Sequence, residues 1–326
     1  MGSTTRKTCS SAPPADIHGA MDRLYDDVLA FEASLGVRFD YVLHVGDFGV
    51  WPDPDRIDKA TRRHGGAGDF PVWFAANRAA PRPTVFIKGN HEDFVWLDEQ
   101  FKAGRCEILP GLTYLPSGDV IDIGEDRERI RIGGIGGCHG PSNYERRSRD
   151  LQGWAKRHFT YDECKRLSSH GGVDVLLLHD APAGVEFTWK RKDGSVRRRY
   201  KSEAEGLAQA VARARPRVCF FGHHHTRLDA EIADVRCIGL NKVAMPGNLV
   251  ALDVPPRGRG LEILGNGRVL SRSLLKLLVR LGQRATELFL QGIEWRAPLR
   301  SLPARWMKGF RGVMSHWVRM ARGVPR

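Results

Sequence analysis

Five short segments of the chain carry side chains that commonly bind divalent metals, each at or just after a hydrophobic run. In chain order they cover residues 16–19, 46–48, 89–92, 179–180 and 222–225. No single segment could hold a pair of metals, but together they supply seven oxygen or nitrogen ligands. Two divalent ions about 3.5–4 Å apart can acidify a bridging water and clamp a phosphoryl group. Such a set could support phosphoester hydrolysis, and a set without thiolates suits Mn, Fe or Zn better than copper.

The body of the chain alternates short apolar runs with longer amphipathic segments, which predicts a layered α/β fold. Predicted strands cover residues 39–45, 84–87, 130–135, 173–178, 217–221 and 248–252, and predicted helices cover 22–35, 161–168 and 203–214. Most of these strands are rich in Val, Ile or Phe, as buried strands are. Ligands at the carboxyl ends of such strands converge on one edge, where α/β sheets usually place their sites.

Each segment by itself also has an ordinary structural interpretation. An Asp-x-His is usually a turn or a helix cap, a Gly-Asp after a strand fits a turn, and residues 223–225 could be an exposed histidine cluster. We expect His44 to be a core or supporting residue within a strand. His224 lies between two candidate ligands and should point away from them. Three other histidines are expected at the surface, namely His64, His170 and His316.

In motif form the five segments read DxH, GD, GNH[DE], H and GHxH, and in this order they resemble the signature of calcineurin-like metallophosphoesterases. The resemblance implies a four-layer α/β/β/α sandwich with two divalent metal ions. One metal would be bound by Asp16, His18, Asp47 and His225, and the other by Asp47, Asn90, His179 and His223. The family's histidine at the position of His91 is not a ligand and stabilises or protonates the leaving oxygen, a task that suits imidazole near neutral pH.

Residues 188–201 are predicted to form a β-hairpin, because Asp193-Gly194 is a strong two-residue turn signal. The arms carry seven cations, Lys190, Arg191, Lys192, Arg197, Arg198, Arg199 and Lys201. This charge favours an anionic substrate, and we expect Arg197, Arg198 and Arg199 to bind it.

Two features depart from the family pattern. The family normally has a buried strand before DxH, whereas residues 8–15 are polar and contain two prolines, which cannot donate to a β-ladder. The family's second motif usually reads GDxxDR, with an Asp that supports the catalytic His and an Arg that contacts phosphate. Neither residue follows Asp47 at the expected offset. Asp180, Glu92 or the cationic hairpin could compensate.

Several segments are more specifically similar to lariat RNA debranching enzymes, namely residues 46–48, 86–92, 112–116, 130–137 and 179–182. Eukaryotic debranching enzymes usually have Cys where Asp16 stands, and we expect the chain to lack their long C-terminal half. The resemblance therefore implies a debranching-like phosphoesterase but does not specify its substrate. Tyr144, Arg146, Arg147 and His158 could line the pocket or could be ordinary surface residues.

The positive charge of the chain is concentrated at its end. Residues 266–326 contain 13 Lys or Arg and 2 Glu, so they account for +11 of the net charge of +13. Cations and apolar residues recur at helical spacing there. We predict a phosphoesterase domain over residues 1–265 and a basic amphipathic helical tail over 266–326. Residues 271–326 could bind an anionic membrane surface or nucleic-acid phosphates, or could pack on the body or a second subunit.

Composition limits the remaining classes. No apolar stretch approaches the length of a transmembrane helix, and residues 1–15 lack the apolar core of a secretory signal. The six cysteines are scattered without a CxxC pair, which predicts reduced thiols and a cytoplasmic protein, with peripheral membrane association as an option.

We predict a metal-dependent phosphoesterase that acts on a phosphodiester, with a nucleic acid or a nucleotide as candidate substrate. The alternative is a membrane- or RNA-binding protein with a weakened phosphoesterase site, which the poor first strand and the missing GDxxDR residues favour.

Overall fold

The structure, a computed structural model, describes residues 10–11, 16–125, 129–191, 193–255 and 261–266. Within these residues the strands are β1 (Ser10–Ser11), β2 (Val42–His44), β3 (Thr84–Phe86), β4 (Glu107–Leu109), β5 (Leu112–Tyr114), β6 (Val120–Ile123), β7 (Ile130–Ile135), β8 (Val175–Leu178), β9 (Glu186–Lys190), β10 (Val196–Lys201), β11 (Val218–Phe221), β12 (Leu228–Ile232), β13 (Val235–Gly239), β14 (Val250–Asp253) and β15 (Glu262–Asn266). The α-helices are α1 (Met21–Leu35), α2 (Asp69–Ala75), α3 (Phe94–Lys102), α4 (Pro141–Tyr144), α5 (Tyr161–Ser169) and α6 (Glu205–Ala214).

These strands form two larger sheets and two smaller ones. The six-stranded sheet has the order β12-β13-β11-β8-β7-β6, and its four inner strands run parallel. The four-stranded sheet has the order β2-β3-β5-β4, with β2, β3 and β5 parallel. Strands β1, β14 and β15 form an antiparallel sheet, and β9 and β10 form a separate hairpin.

Three hydrophobic cores fix the order of the layers. Along β8, Val175 and Leu177 belong to a core shared by strands of both larger sheets, whereas Leu176 and Leu178 belong to a core shared with α5 and α6. This alternation follows from the period of two of a β-strand. A further core joins α1, α2 and α3 to the four-stranded sheet. The predicted α/β/β/α sandwich is therefore confirmed for the body of the chain.

Of residues 8–15 the structure describes only Ser10 and Ser11, which form β1 and pair antiparallel with β14. The expectation that residues 8–15 form a poor strand stays a prediction, because the other residues of this segment lie outside the described residues. Backbone hydrogen bonds nevertheless fix the segment that follows. The Asp16 N–H donates to the Gly46 carbonyl at 3.3 Å and the His18 N–H to the Asp47 carbonyl at 2.9 Å. The first and second ligand segments thus lie side by side.

All six predicted strands and all three predicted helices are present, with ends that shift by a few residues. The hairpin is also present, but its loop is longer than the two-residue turn that was predicted. The Arg191 N–H donates to the Ser195 carbonyl, and the N–H of Gly194, at φ +85°, donates to the Arg191 carbonyl. The elements not predicted, including α2, α3 and the strand pair β12–β13, are short or partly exposed.

The predicted basic tail lies outside the described residues except for Asn266, so its helices and its binding to membrane or nucleic acid stay predictions. In the part of the chain that the structure describes, no helix is both long and apolar enough to cross a bilayer. The five cysteines of that part are free thiols.

A buried ion pair joins α1 to the start of β3, the strand that precedes the third ligand segment at residues 89–92. Arg82, just before β3, binds Glu32 through two hydrogen bonds, Nε to Oε1 at 2.7 Å and Nη2 to Oε2 at 2.8 Å. The Glu32 side chain is 7% exposed and also accepts the Phe39 N–H at 2.6 Å. Removal of one partner from a buried pair leaves the other charge without compensation in a poorly solvated place.

We expect Arg82→Ala to lower the free energy of unfolding by about 2–4 kcal/mol, because Glu32 would remain buried and charged. The matched control is Arg236→Ala, which breaks a pair with Asp229 whose side chains are 53% and 49% exposed. Such exposed pairs contribute about 0–1 kcal/mol. Urea unfolding of both variants tests this, and equal losses would contradict it.

Candidate metal centre and active site

The candidate ligands come from loops at the carboxyl ends of parallel strands in both larger sheets. Asp47 follows β2, Asn90 follows β3, His179 follows β8 and His223 follows β11. Asp16 reaches the same place because its segment lies beside the loop after β2. The two larger sheets therefore bring together residues that are more than 200 positions apart in the sequence.

Asp47, His179 and His223 present donor atoms that all lie within 4.8 Å of one another. The Nε2 atom of His179 lies 3.6 Å from Asp47 Oδ1 and 2.9 Å from Asn90 Oδ1. These are the four residues that the family resemblance implies for one of the metals. Their nitrogen and oxygen donors face a common point, as the ligands of a single ion must.

The orientation of His179 fits a ligand that binds through Nε2. Its Nδ1 lies 2.9 Å from the Val45 carbonyl oxygen, which can only accept a hydrogen bond. Nδ1 must therefore carry the proton, which leaves the Nε2 lone pair free. A backbone carbonyl that fixes the tautomer in this way is typical of metal-binding histidines.

Asp16, His18 and His225 lie close to the same group of residues, with Asp16 Oδ1 3.9 Å from His179 Nδ1. His225 Nε2 is 3.4 Å from Asp16 Oδ2, and His18 Nε2 is 3.8 Å from Asp47 Oδ2. Asp16 and His18 are almost fully buried, yet Asp16 Oδ2 and both ring nitrogens of His18 have no hydrogen-bond partner. Buried polar atoms of this kind are costly unless something binds them. A cation beside these atoms would satisfy them, so the residues fit the metal that the family implies.

Five of the seven candidate ligands have left-handed backbone conformations. They are Asp16 (φ 48°), His18 (φ 49°), Asp47 (φ 52°), His223 (φ 61°) and His225 (φ 49°). For residues other than glycine this conformation costs of the order of 1–3 kcal/mol each and persists only where the surroundings impose it. The concentration of strain at one place marks these loops as built for a site rather than for stability.

The pKa shifts of the histidines and of Asp47 favour the protonation states that metal ligation requires, whereas the pKa of Asp16 is shifted in the opposite direction. Burial lowers the pKa of His18 to about 3 and the pKa values of His223 and His225 to about 4, so these imidazoles are neutral near pH 7. Burial by itself would raise the pKa of Asp47, but the surrounding histidines, led by His179, outweigh it and lower that pKa. Burial and the charge of Asp47 raise the pKa of Asp16 well above its ordinary value.

Glu92 joins the loop that carries Asp47 to the loop that carries Asn90. Its carboxylate is fully buried and accepts hydrogen bonds from four backbone N–H groups, those of Phe48 (2.8 Å), Gly49 (2.8 Å), Val50 (2.7 Å) and Gly89 (3.2 Å). Burial and the nearby Asp47 raise the pKa of Glu92 to about 8, and the N–H donors oppose this shift. Glu92 thus shapes the site and does not stand in for the missing Asp of GDxxDR.

Gly89 is required by the close approach of these two loops. A Cβ atom at residue 89 would lie 2.0 Å from the Asp47 backbone nitrogen and 2.1 Å from Asp47 Oδ1. The same Oδ1 accepts the N–H groups of Asn90 at 2.7 Å and His91 at 2.8 Å. Any side chain at residue 89 would therefore push Asp47 out of the candidate centre.

Asp58 is the functional residue that sequence reasoning missed. Its Oδ2 lies 3.2 Å from His91 Nδ1, and its carboxylate also accepts the N–H of Ala60 at 2.7 Å and the hydroxyl of Thr61 at 2.6 Å. Burial lowers the pKa of His91, but the Asp58 hydrogen bond and the charge of Asp47 outweigh it, so the pKa is raised. Asp58 thus makes with His91 the kind of contact that was expected of the Asp in GDxxDR. Only its position in the loop after the second motif could have suggested it.

Two aromatic contacts extend the site beyond the predicted residues. The His64 ring stacks on the His18 ring, with centroids 3.9 Å apart and planes at 18°. His64, which was expected at the surface, is half-buried, whereas His170 is exposed and His44 is buried, as expected. His316 lies outside the described residues. Trp154, which is 44% exposed, lies edge-on to His91 with centroids 6.1 Å apart.

Tyr144, Arg146, Arg147 and His158 were expected either to line the pocket or to be ordinary surface residues. Tyr144 packs against Phe159 and Tyr161. Arg146 binds the Asn143 side chain and the Asp150 carbonyl. These contacts fit the alternative that both residues are structural. Arg147 is exposed, and His158 lies 3.6 Å from the Cys138 sulfur.

The three arginines of the hairpin differ in position. Arg198 pairs across the hairpin with Trp189 and lines an open cleft that also contains His223 and His224. Arg197 and Arg199 are exposed and do not line this cleft. His224 points away from the Asp47 group, as predicted, and its Nε2 lies 2.9 Å from Asp180 Oδ1.

Comparison with known proteins shows which family the sequence matches. A model of the calcineurin-like phosphoesterase family matches residues 15–227. The lariat debranching enzyme of Entamoeba histolytica is 24% identical over 73% of this chain and 70% of that protein. That of Arabidopsis thaliana is 24% identical over 66% of this chain and 54% of that protein. The crystal structure of the protein TT1561 of Thermus thermophilus matches 80% of this chain and all of that one, with 15% identity and a TM-score of 0.47.

We expect Asp16→Asn to stabilise the protein in the presence of a chelator by about 1–3 kcal/mol, because a neutral amide removes a buried acceptor charge that lacks a partner. Because the pKa of Asp16 is raised in the folded state, the wild-type protein loses stability as pH rises above the ordinary value of 3.8, so the gain from Asp16→Asn grows with rising pH and disappears on acidification. Urea unfolding in EDTA measures it.

The matched control is Asp234→Asn, which makes the same carboxylate-to-amide change at an exposed residue with a left-handed backbone (φ 61°). It should have little effect on the free energy of unfolding. Addition of manganese should stabilise the wild-type protein more than Asp16→Asn. If the wild-type protein and Asp16→Asn respond equally to chelator and to manganese, a role of Asp16 in metal binding is contradicted.

Proposed function

The chain belongs to the calcineurin-like phosphoesterase family and is a metal-dependent phosphoesterase, and we propose that it cleaves a phosphodiester bond of RNA. The arrangement that carries the proposal is the approach of Asp47, His179 and His223 donor atoms to within 4.8 Å, beside the His91–Asp58 pair. The similarity to proteins named lariat debranching enzymes supports RNA as the substrate class, although the chain covers only 54–70% of the two relatives compared.

The donor set fits two divalent ions. Asp16, His18, Asp47 and His225 would hold one ion, and Asp47, Asn90, His179 and His223 the other. These ligands contribute nitrogen and oxygen donors, which suits Mn, Fe or Zn. When bound, the metals would supply an acidified water and neutralise charge on the phosphoryl oxygens.

His91 is placed to assist the leaving group. Its backbone N–H is held by Asp47 Oδ1 at 2.8 Å, and its Nδ1 is held by Asp58. Nε2 is therefore the ring nitrogen that remains to donate a proton. The raised pKa keeps the imidazole protonated to a higher pH, as a general acid needs. Asp58 orients the ring and stabilises its charge, and Arg198 adds a cation at the edge of the cleft.

The alternative of a binding protein with a weakened site rested on the poor first strand and the missing Asp and Arg of GDxxDR. The contact of Asp58 with His91 supports catalysis, because a carboxylate partner for this histidine is present in another loop. The buried positions of Asp16 and His18 support the same conclusion.

We expect manganese-dependent hydrolysis of bis(p-nitrophenyl) phosphate by the wild-type protein and a loss of more than about 100-fold in Asp47→Asn, beyond the loss typical of residues that only support a ligand. Asp229→Asn, which changes a half-exposed carboxylate elsewhere, should retain turnover. If the wild-type protein is inert with manganese, iron and zinc alike, or if Asp47→Asn retains full activity, the proposal fails.

We expect Asp58→Ala to lower kcat by about 10- to 100-fold on a diester with an alkoxide leaving group, with a smaller loss in Asp58→Asn, whose amide oxygen can still accept a hydrogen bond from His91. The loss should be much smaller on a nitrophenyl ester, because nitrophenolate leaves without protonation. Asp53→Asn, in the same loop, is the control. Equal losses of Asp58→Ala on both esters would indicate that Asp58 acts only on structure.

A further inference from the structure

One face of the β9–β10 hairpin presents aromatic rings and a guanidinium group beside the candidate centre. Trp189 is directly opposite Arg198 in the hairpin register, and Phe187 is opposite Tyr200. Residues directly opposite in a β-ladder project to the same face. The four side chains therefore form one patch, which we call the aromatic face.

The rings of the aromatic face are held in place from below. Phe187 is buried and stacks against Trp189 at 5.5 Å and 8°, and its ring lies 4.2 Å from that of His224. The indole Nε1–H of Trp189 donates to the Thr226 hydroxyl at 3.1 Å. Tyr200 and Trp189 stay half-buried, so each is anchored to the core while part of its ring is exposed.

The exposed side of the aromatic face borders an open cleft of about 400 Å³, a size within the range of ligand sites. Its lining consists of Trp189, Arg198, Tyr200, His223 and His224. These side chains are aromatic, imidazole or guanidinium groups. The Arg198 guanidinium lies 5.3 Å from the Trp189 ring centroid and 5.9 Å from that of Tyr200.

His223 connects this cleft to the candidate metal centre, because it is also one of the three residues whose donor atoms cluster around Asp47. A ligand that fills the cleft therefore ends at the place where a phosphate would bind. Flat rings with a neighbouring cation suit a planar, electron-rich group that is attached to an anion. A nucleobase has a flat π-face for stacking, and every base can use it.

We propose that the aromatic face binds the nucleobase next to the scissile phosphate, by stacking on Trp189 with Arg198 alongside. This inference rests on the proposed function and adds to it a subsite for one particular nucleotide of the substrate. Base–aromatic stacking tolerates all four bases. The subsite would therefore position the RNA in the cleft without selecting for a particular base.

Calorimetric titration of the full chain with manganese tests the subsite without turnover, by use of AMP and ribose 5-phosphate, which share a phosphate and differ in the base. We expect the wild-type protein to bind AMP about 5- to 150-fold more tightly than ribose 5-phosphate. Trp189→Leu should remove this preference and leave the affinity for ribose 5-phosphate unchanged. Trp189→Phe, which keeps a ring at this position, should retain most of the preference.

If wild-type protein binds both compounds equally or binds neither, or if Trp189→Leu keeps the preference, the subsite is refuted. Arg198→Gln, at an exposed position, gives a second variant in case Trp189→Leu does not fold, and it should weaken AMP binding more than ribose 5-phosphate binding. Turnover of a chromogenic diester without a base is measured in parallel. Turnover without base preference overturns the subsite alone, whereas the absence of turnover with every metal overturns the proposed function.

Discussion

The buried carboxylate of Glu92 is the interaction on which the rest of the site depends. It binds three successive N–H groups after Asp47 and the N–H of Gly89. Without it these buried donors would each lose a partner, at a cost of about 1–3 kcal/mol apiece. Asp47 in turn holds the backbone of Asn90 and His91 through Oδ1. Two loops from adjacent parallel strands are thus fixed to one another before any ion or substrate binds.

The hydrogen bonds of Glu92 and Asp47 help to hold a set of site residues that would be unstable without support from the rest of the fold. Left-handed residues, neutral buried histidines and two neighbouring carboxylates all oppose stability. The three hydrophobic cores and the two larger sheets supply the stability that holds them. Asp16 and His18 are positioned by backbone hydrogen bonds to the neighbouring loop that carries Asp47.

The sequence predicts those parts of the molecule that have a local signal. Apolar runs with ligand residues at their ends predict β2, β3, β8 and β11 and the convergence of Asp47 with His179. The residues that were missed have no such signal. Asp58 lies in an irregular loop, eleven positions after Asp47, and only the folded loop brings it to His91. His64 likewise looks like any surface histidine until its ring meets that of His18. The register of β10 is also needed to see that Arg198 lies on the same face of the hairpin as Trp189, whereas Arg199 lies on the opposite face.

The β9–β10 hairpin shares no hydrogen-bonded ladder with the other described strands and is attached through packed rings and the Trp189–Thr226 contact. Mutations on its outer positions leave the catalytic loops and their supporting sheets untouched. Natural selection can therefore remodel this appendage quickly while the reaction chemistry is conserved. Divergence in substrate preference among proteins of this architecture is expected to accumulate there first, and the same hairpin is the natural place to begin directed evolution.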